Sequence, residues 1–236
     1  MRWSSGEGVL SVVSGHTIGR VVSVNVGVPR SVRWGGRTVT SAIWKEAVEG
    51  RRRLAGVNID GDDQADRRVH GGPTKSLYAY AVEDYRWWEA QDGMSLAPGT
   101  FGENLTLEGI NPAAAVVGER WRVGSALLRV TEPRVPCYKL GLRMGDAAFV
   151  ERFAEAARPG TYLAIEGGGD VGTGDAIELL HRPDHGLTVG TVERAYHGHG
   201  ERLEELLAVD DLSRSWRNWA DHALRRARRA SAGAVE

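Results

Sequence analysis

Short runs of alternating apolar and polar residues, separated by glycines, recur up to about residue 180. Residues 21–28 alternate in this way and predict a strand. A hairpin is predicted where Gly124-Ser125 separates two further β-prone runs. The remaining predicted strands are residues 37–41, 104–107, 161–166 and 176–180, and residues 49–72 are predicted to be mostly loop. Short strands with glycine turns favour a closed or strongly bent antiparallel β-barrel over an alternating βαβ array.

Helical spacing of apolar residues is concentrated near the C-terminus. Earlier in the chain, residues 83–89 predict one helix, and a second is predicted to start at Asp146 as its N-cap and to run to Arg158. After a linker at residues 183–186, three further helices are predicted at residues 188–196, 201–207 and 213–229. The last carries Trp216 and Trp219 on one apolar face.

The pattern therefore predicts a mainly β fold with α-helical additions, in three parts. These are a flexible N-terminal segment (1–18), a β-barrel domain (19–182) and a small C-terminal three-helix subdomain (183–236). The apolar face of the last helix is too narrow for an independent core, so we expect it to dock on the barrel or on a second subunit. It could shape substrate access or receive an electron donor, or it could only cover apolar barrel surface.

Composition and charge exclude several classes of function. Lys plus Arg is 30 and Asp plus Glu is 31, so the net charge is −1, which argues against a globally basic nucleic-acid binder. No apolar run approaches the ~20 residues that span a bilayer. A single cysteine excludes an intramolecular disulfide, a zinc ribbon and a self-contained iron–sulfur cluster. We expect a soluble, cytoplasmic protein without a membrane or nucleic-acid partner.

The lone cysteine, Cys137, follows a predicted strand and lies between prolines and cations. Pro133 and Pro136 stiffen the backbone, and Arg134, Lys139 and Arg143 favour the thiolate over the thiol. A stiff loop that presents a thiolate among cations suits a ligand for a soft metal or a nucleophile. The alternative is a buried structural cysteine.

Two further segments offer weaker signals. Residues 60–66 contain four aspartates, but their spacing is not that of an EF-hand, so we interpret most of them as a solvated acidic turn. The next segment, 69–75, has Gly71 and Gly72 framed by His70 and Lys75, which is typical of a loop that approaches an anion.

Two other patterns are interpreted structurally. Residues 167–172 match GxGxxG formally, but a strand follows them rather than a helix, so we expect a barrel turn. His197 and His199 could bind a metal, but two histidines before a helix are more often simply exposed.

Five sequence blocks taken together resemble the MOSC-domain family, specifically its YiiM-like branch. The blocks are residues 38–45, 61–66, 69–72 with Lys75, 98–105 and 133–140. The resemblance covers about residues 20–180, and the helical tail is similar to the three-helix domain that follows MOSC in that branch. It implies a MOSC-type β-barrel.

The resemblance also implies molybdenum cofactor chemistry. Proteins similar to this one bind molybdopterin with molybdenum, and Cys137 corresponds to the cysteine that ligates the metal beside two dithiolene sulfurs. The implied activity is reduction, by oxygen-atom transfer, of N-hydroxylated compounds such as hydroxylaminopurine-type bases, hydroxylamines and amidoximes. The expected partners are that small-molecule substrate and a separate flavin or iron–sulfur protein that donates electrons.

Cations and glycines of the matching blocks fit a group that brings a phosphate and a polar pterin. The candidate cofactor-binding residues are Lys45, His70, Gly71, Gly72, Lys75, Asn104, Arg134, Lys139 and Arg143. We expect Lys45, His70, Lys75 and Arg134 to converge on one pocket near Cys137, which would be the catalytic residue and metal ligand.

Two other functions remain open from the sequence. The same cysteine could hold the cofactor for delivery or carry a persulfide, in a binding, carrier or sulfur-transfer module. A metal-free cysteine enzyme is a further alternative. The chain could act as a monomer or a homodimer.

Overall fold

The structure is a computed structural model that describes residues 15–65, 71–199 and 202–233. The strands of these ranges are β1 (His16–Val26), β2 (Arg30–Trp34), β3 (Arg37–Ser41), β4 (Glu46–Ala47), β5 (Arg52–Ala55), β6 (Asn58–Ile59), β7 (Leu77–Ala81), β8 (Leu105–Glu108), β9 (Arg120–Val123), β10 (Ala126–Glu132), β11 (Thr161–Gly167), β12 (Gly169–Val171) and β13 (Ala176–His181). The helices are α1 (Val82–Asp92), α2 (Tyr138–Met144), α3 (Phe149–Glu155), α4 (Val189–Arg194), α5 (Leu203–Ala208) and α6 (Arg214–Gly233).

Seven strands close into a barrel. Their order is β13-β9-β10-β11-β7-β8-β1, and pairing of β1 with β13 completes the ring. All neighbours are antiparallel except β7 and β8, which are parallel, so the barrel is mixed rather than purely antiparallel. Along β10, Ala126, Leu128 and Val130 are buried whereas Leu127 is exposed, as expected for a strand with one face on the core. The predicted β-barrel with a helical C-terminal part is confirmed.

The hairpin at Gly124-Ser125 is observed as β9 and β10, but one prediction in a glycine-rich segment is wrong. The described part of residues 49–72 is mostly loop, as predicted, and its one hairpin, β5–β6, pairs with β12 in a small separate sheet. Residues 167–172 are accordingly not a simple turn. A Cβ at Gly169 would lie 2.5 Å from the backbone of Ser125, so this glycine permits close strand approach.

The helix predicted to begin at Asp146 is shorter than expected. Asp146 Oδ1 accepts a hydrogen bond from the Ala148 amide at 2.9 Å, and α3 begins only at Phe149. Ala157, with φ of 50°, follows the helix in a left-handed conformation. Helix α2, which starts directly after Cys137, is not predicted by the sequence pattern.

The boundary between the N-terminal segment and the barrel also differs in part from the one predicted from the sequence. Strand β1 starts at His16, inside the segment assigned as flexible, and residues 1–14 lie outside the described ranges. In the described parts of the chain, no helix is long and apolar enough to cross a membrane.

The C-terminal helices share one core with the barrel. Val192, Leu206 and Trp216 belong to the same buried cluster as Trp121 and Leu128 of the barrel strands. Two backbone hydrogen bonds attach the chain that follows the linker at residues 183–186 to the barrel domain. The Val117 amide donates to Leu187 O, and the Val189 amide donates to Ala115 O, each at 2.9 Å. Of the two docking expectations for this apolar face, docking on the barrel is confirmed.

A second buried cluster is aromatic and lies around α1 and α3. It contains Tyr78, Tyr80, Tyr85, Trp88, Phe101, Phe149 and Phe153. The Trp88 indole Nε1 donates to Tyr80 Oη at 2.9 Å, which satisfies a polar group inside the cluster. This cluster supports β7 and the loop that contains Phe101 from behind.

Candidate functional site

Cys137 lies between the last residue of barrel strand β10 and the first residue of α2. The chain leaves β10 at Glu132, passes through a loop with two prolines, and reaches Cys137 at the N-cap position of α2. The thiol is half-buried, and it lines a cleft with about 680 Å³ of empty space, open solvent included.

Most of the predicted site residues surround this cleft. Lys45, Lys75, Asn104, Arg134 and Lys139 line it together with Cys137. They come from four different parts of the sequence, so the barrel topology is what brings them together. Three members of the expected convergent set therefore meet near Cys137, and the fourth, His70, lies outside the described residues.

Among the described residues, Gly71, Gly72 and Arg143 were also predicted for the site but do not line the cleft. Gly72, with φ of 98°, stands at the start of a 3-10 turn, Pro73–Lys75, and no atom lies within 4 Å of a Cβ built there. Its backbone conformation rather than lack of space is what favours glycine. Gly71 directly precedes it. Arg143 lies on α2, and burial lowers its pKa.

An acidic residue that was interpreted as solvated organises one wall of the cleft. Asp62 is buried, and its Oδ1 forms an ion pair with Lys45 Nζ and accepts the Gly27 amide at 2.8 Å. Its Oδ2 accepts a hydrogen bond from Asn104 Nδ2 at 3.0 Å. The interpretation as a solvated turn is wrong for Asp62, because its partners lie far away in sequence. Burial lowers the pKa of Lys45, and the neighbouring Asp62 opposes that shift.

Arg134 places a buried positive charge at the cleft. Its guanidinium donates to Phe101 O and lies over two aromatic rings, 4.9 Å from the Tyr78 centroid and 5.7 Å from that of Phe153. Within the described residues, no carboxylate forms an ion pair with it. A buried guanidinium held by rings and a carbonyl, and open to a cleft, suits an anionic ligand.

Lys75 and Tyr162 lie on the other side of Cys137. Lys75 Nζ is 3.3 Å from Glu132 Oε1 and 5.7 Å from the centroid of the Tyr162 ring. Burial raises the pKa of Tyr162 to about 12, so its hydroxyl stays protonated at neutral pH. Sequence reasoning missed Glu132 and Tyr162, because neither lies in a pattern that differs from an ordinary strand.

Comparison with known sequences identifies related proteins. The MOSC domain family matches residues 66–178. YflK of Bacillus subtilis (strain 168), which is uncharacterised, is 32% identical over 200 residues, covering 84% of this chain and 90% of YflK. YiiM of Escherichia coli (strain K12) is 31% identical over 182 residues, covering 75% of this chain and 81% of YiiM.

This chain belongs to the MOSC family. Its fold is similar to the crystal structure of YiiM from Geobacillus stearothermophilus, with a TM-score of 0.71 and 26% identity over 86% of this chain and 98% of that one. Sequence and structure together place it in the YiiM-like branch. MOSC domains generally bind the molybdenum cofactor.

The residues of this MOSC domain fit a metal group that brings its own ligands. Over the described ranges, no three His, Cys, Asp or Glu side chains come together as a metal site. His197, one of the two histidines considered for a metal, pairs instead with Glu193, with 3.4 Å between Nε2 and Oε1. The Cys137 thiol is of the ligand type that soft metals prefer, and the cleft cations suit an anionic cofactor.

A second compartment adjoins the cleft at Cys137. It shares Lys75, Val135, Cys137 and Tyr162 with the cleft, and its other wall comes from the C-terminal helices of the MOSC protein. Cys137 therefore lies between a cation-lined space and an aromatic one.

Proposed function

We propose that this protein is a molybdenum cofactor-dependent reductase of N-hydroxylated compounds, such as hydroxylaminopurine-type bases, hydroxylamines and amidoximes. One observation carries the proposal: the single thiol of the chain lies at the junction of a cation-lined cleft and a second, aromatic compartment. The first space suits an anionic cofactor, and the second leaves room for a substrate beside the same sulfur. A module that only delivers cofactor or sulfur needs no second space.

Each side chain of the cleft has a defined role in this proposal. Cys137 ligates molybdenum. Lys45, Lys75, Arg134 and Lys139 neutralise the phosphate and the other negative charges of molybdopterin, and Asn104 bonds to the pterin. Asp62 holds both Lys45 and Asn104, so it positions residues from two loops on one wall. His70, Gly71, Gly72 and Arg143 complete the proposed set.

The reaction needs two electrons and two protons from outside the substrate. The N–O bond of R–NHOH breaks, and R–NH₂ and water form. When bound, the cofactor supplies the two-electron redox chemistry. Since the chain has one cysteine, a separate flavin or iron–sulfur protein provides the electrons. The Tyr162 hydroxyl keeps its proton at neutral pH. The ammonium group of Lys75, paired with Glu132, is a second N–H or O–H donor between the two compartments.

A turnover assay tests the proposal. Protein made in a host that synthesises the cofactor is incubated with 6-hydroxylaminopurine and a reduced viologen dye, and adenine is quantified. We expect adenine to form in proportion to bound molybdenum, and Cys137→Ser to form none while it remains folded. Bound molybdenum without adenine formation would favour the carrier or sulfur-transfer function, and full activity without molybdenum would favour a metal-free cysteine enzyme.

A further inference from the structure

The hairpin formed by β2 and β3 makes a two-stranded sheet of its own beside the barrel. One face of this hairpin combines apolar and basic side chains, because cross-strand pairing puts alternate residues of the two strands on the same side. We call it the hairpin face and define it by Arg30, Val32, Trp34, Arg37 and Val39. The opposite face is polar, and on it Ser31 Oγ and Thr40 Oγ1 share a hydrogen bond of 2.8 Å.

The apolar centre of the hairpin face is only partly covered by the described part of the chain. Val32, Trp34 and Val39 are each partly exposed, and none of them belongs to either buried cluster of the described residues. A two-stranded hairpin without such packing is marginally stable. Tryptophan and arginine are also the residue types in which the binding energy of protein–protein interfaces is concentrated. The hairpin face therefore suits a protein partner that covers it.

The two ends of the hairpin face are basic. Arg30 and Arg37 are exposed, and neither forms an ion pair with a carboxylate of the described ranges. The whole chain has a net charge of −1, yet residues 8–45 contain no aspartate or glutamate. A second copy of this chain, docked through the same face, would bring two sets of arginines into one interface, which like-charge repulsion disfavours. The charge of the face fits an acidic partner instead.

The base of the hairpin borders the cleft. Ser41, which pairs with Arg30 across the hairpin, lines the cleft together with Cys137. The Arg30 guanidinium carbon lies 4.3 Å from the centroid of the Trp44 ring. Burial and, next, the charge of Arg30 lower the pKa of Arg143, so the hairpin base is also near α2. A protein that covers the hairpin face would thus lie beside the cleft.

We propose that the hairpin face is the docking surface for an acidic electron-donor protein. Arg30 and Arg37 pair with carboxylates that surround the flavin or iron–sulfur group of the donor, and Trp34 packs between them. The docked donor lies next to the cleft that contains Cys137, so its electrons have a short path to the reaction site. Each turnover oxidises the donor by two electrons in total and adds them, with two protons, to the N–O bond. This inference rests on the proposed function, and it places the entry of electrons away from the C-terminal helices.

A binding experiment tests the charge of the hairpin face. The purified full-length chain is titrated calorimetrically with two acidic probes, a flavodoxin and a plant-type ferredoxin, at low and at high ionic strength. We expect saturable binding of at least one probe, weaker at high ionic strength. Arg30→Gln/Arg37→Gln should weaken that binding about tenfold at low ionic strength and much less at high ionic strength.

The matched control is Arg226→Gln/Arg229→Gln on α6. It removes the same charge from two exposed arginines that form no ion pair in the described ranges, and it lies on the helix that the sequence analysis offered as a site for the donor. We expect it to bind the probes as the wild type does. A loss of binding equal to that of Arg30→Gln/Arg37→Gln would overturn the inference, because net charge alone would then explain both variants.

Trp34→Ala provides a second arm, since it removes apolar contact but no charge. It should weaken binding by a similar factor at both ionic strengths. The inference is overturned if neither probe binds the wild type, or if Trp34→Ala and Arg30→Gln/Arg37→Gln, both folded by circular dichroism, bind as the wild type does. It is also overturned if the wild type is a dimer that Trp34→Ala converts into monomers, because the face would then bind a second copy. If Trp34→Ala does not fold, the arginine variant alone decides.

Turnover of hydroxylaminopurine separates this inference from the proposed function. With a reduced viologen dye, Arg30→Gln/Arg37→Gln should form adenine at the wild-type rate, because a small dye needs no docking surface. With the reduced probe as donor, the KM for the probe should rise about tenfold. Arginine-dependent binding of the probe without adenine formation from any donor would refute the reductase and keep the docking surface. An unchanged KM for the probe, with normal dye-driven turnover, would keep the reductase and refute the docking surface.

Discussion

Lys45 and Asp62 form a buried ion pair that joins two loops at the wall of the cleft. Asp62 also accepts hydrogen bonds from the Gly27 amide and from Asn104 Nδ2, so its carboxylate is satisfied on both oxygens. This network connects the end of β1, the acidic loop and the segment before β8. Asp62 thus holds Lys45 in place beside the proposed cofactor without contacting the cofactor itself.

Removing that acid should destabilise the protein. Asp62→Asn leaves Lys45 as a buried charge without its partner, and losses of about 3–5 kcal/mol are typical of such changes. Urea unfolding measures the loss. Glu108→Gln is the matched control, because the exposed pairs of Glu108 with Arg20 and Arg86 contribute little. Equal unfolding midpoints for the two variants would contradict the role given to Asp62.

Arg134 should matter more for cofactor retention than any exposed arginine. Arg134→Lys keeps the charge but loses the planar donors that grip a phosphate and stack on Tyr78. We expect the molybdenum bound after purification to fall about tenfold, corresponding to the loss of a charge-assisted hydrogen bond.

The control for Arg134→Lys is Arg51→Lys, which changes an exposed partner of Asp175 outside the cleft and should retain full metal content. If both variants retain equal metal, Arg134 does not bind the cofactor.

The stability of the C-terminal helices should depend on pH through Glu193. Burial raises the pKa of Glu193 to about 7, while Arg194 opposes that shift. Between its ordinary value and 7, the folded protein binds more protons than the unfolded chain, so stability should fall as pH rises through this interval. Glu193 Oε1 also lies 3.4 Å from His197 Nε2.

Thermal unfolding at pH 5.5 and pH 8 checks this dependence. Glu193→Gln, which cannot ionise, should lose most of the difference between the two values. A pH dependence that is unchanged in Glu193→Gln would show that another group is responsible.

Removal of the C-terminal helices should expose barrel core. A chain that ends at Pro183 lacks apolar side chains of the shared cluster, among them Leu187, Val192, Leu206 and Trp216. We expect a lower unfolding midpoint and binding of a hydrophobic dye, because covering this surface supplies part of the stability. A truncated protein that unfolds at the wild-type midpoint would contradict the shared core.

The barrel and its hairpin could be predicted from sequence because local signals determine them. Alternation and the Gly124-Ser125 turn are properties of neighbouring residues, and β9 and β10 follow from them. Asp62 could not be assigned in the same way, since an aspartate in an acidic run is usually solvated and only Lys45 and Asn104 make its burial favourable.

In the site, too, some features follow from local sequence and others from tertiary contacts. The cations near Cys137 were recognised from sequence blocks, but the position of the tryptophan face of α6 beside Cys137 depends on how the linker crosses the barrel. The helix α2 was missed because prolines and basic residues before it are typical of a loop. Tertiary contacts, rather than local propensity, decide these features.

The central claim is that Cys137 ligates molybdenum, and X-ray absorption at the molybdenum edge measures its sulfur ligands directly. In wild-type protein carrying the cofactor, the account predicts three sulfur ligands at the metal, two from the dithiolene and one from Cys137. In folded Cys137→Ser that retains some metal, it predicts two. An identical number of sulfur ligands in both proteins would contradict it.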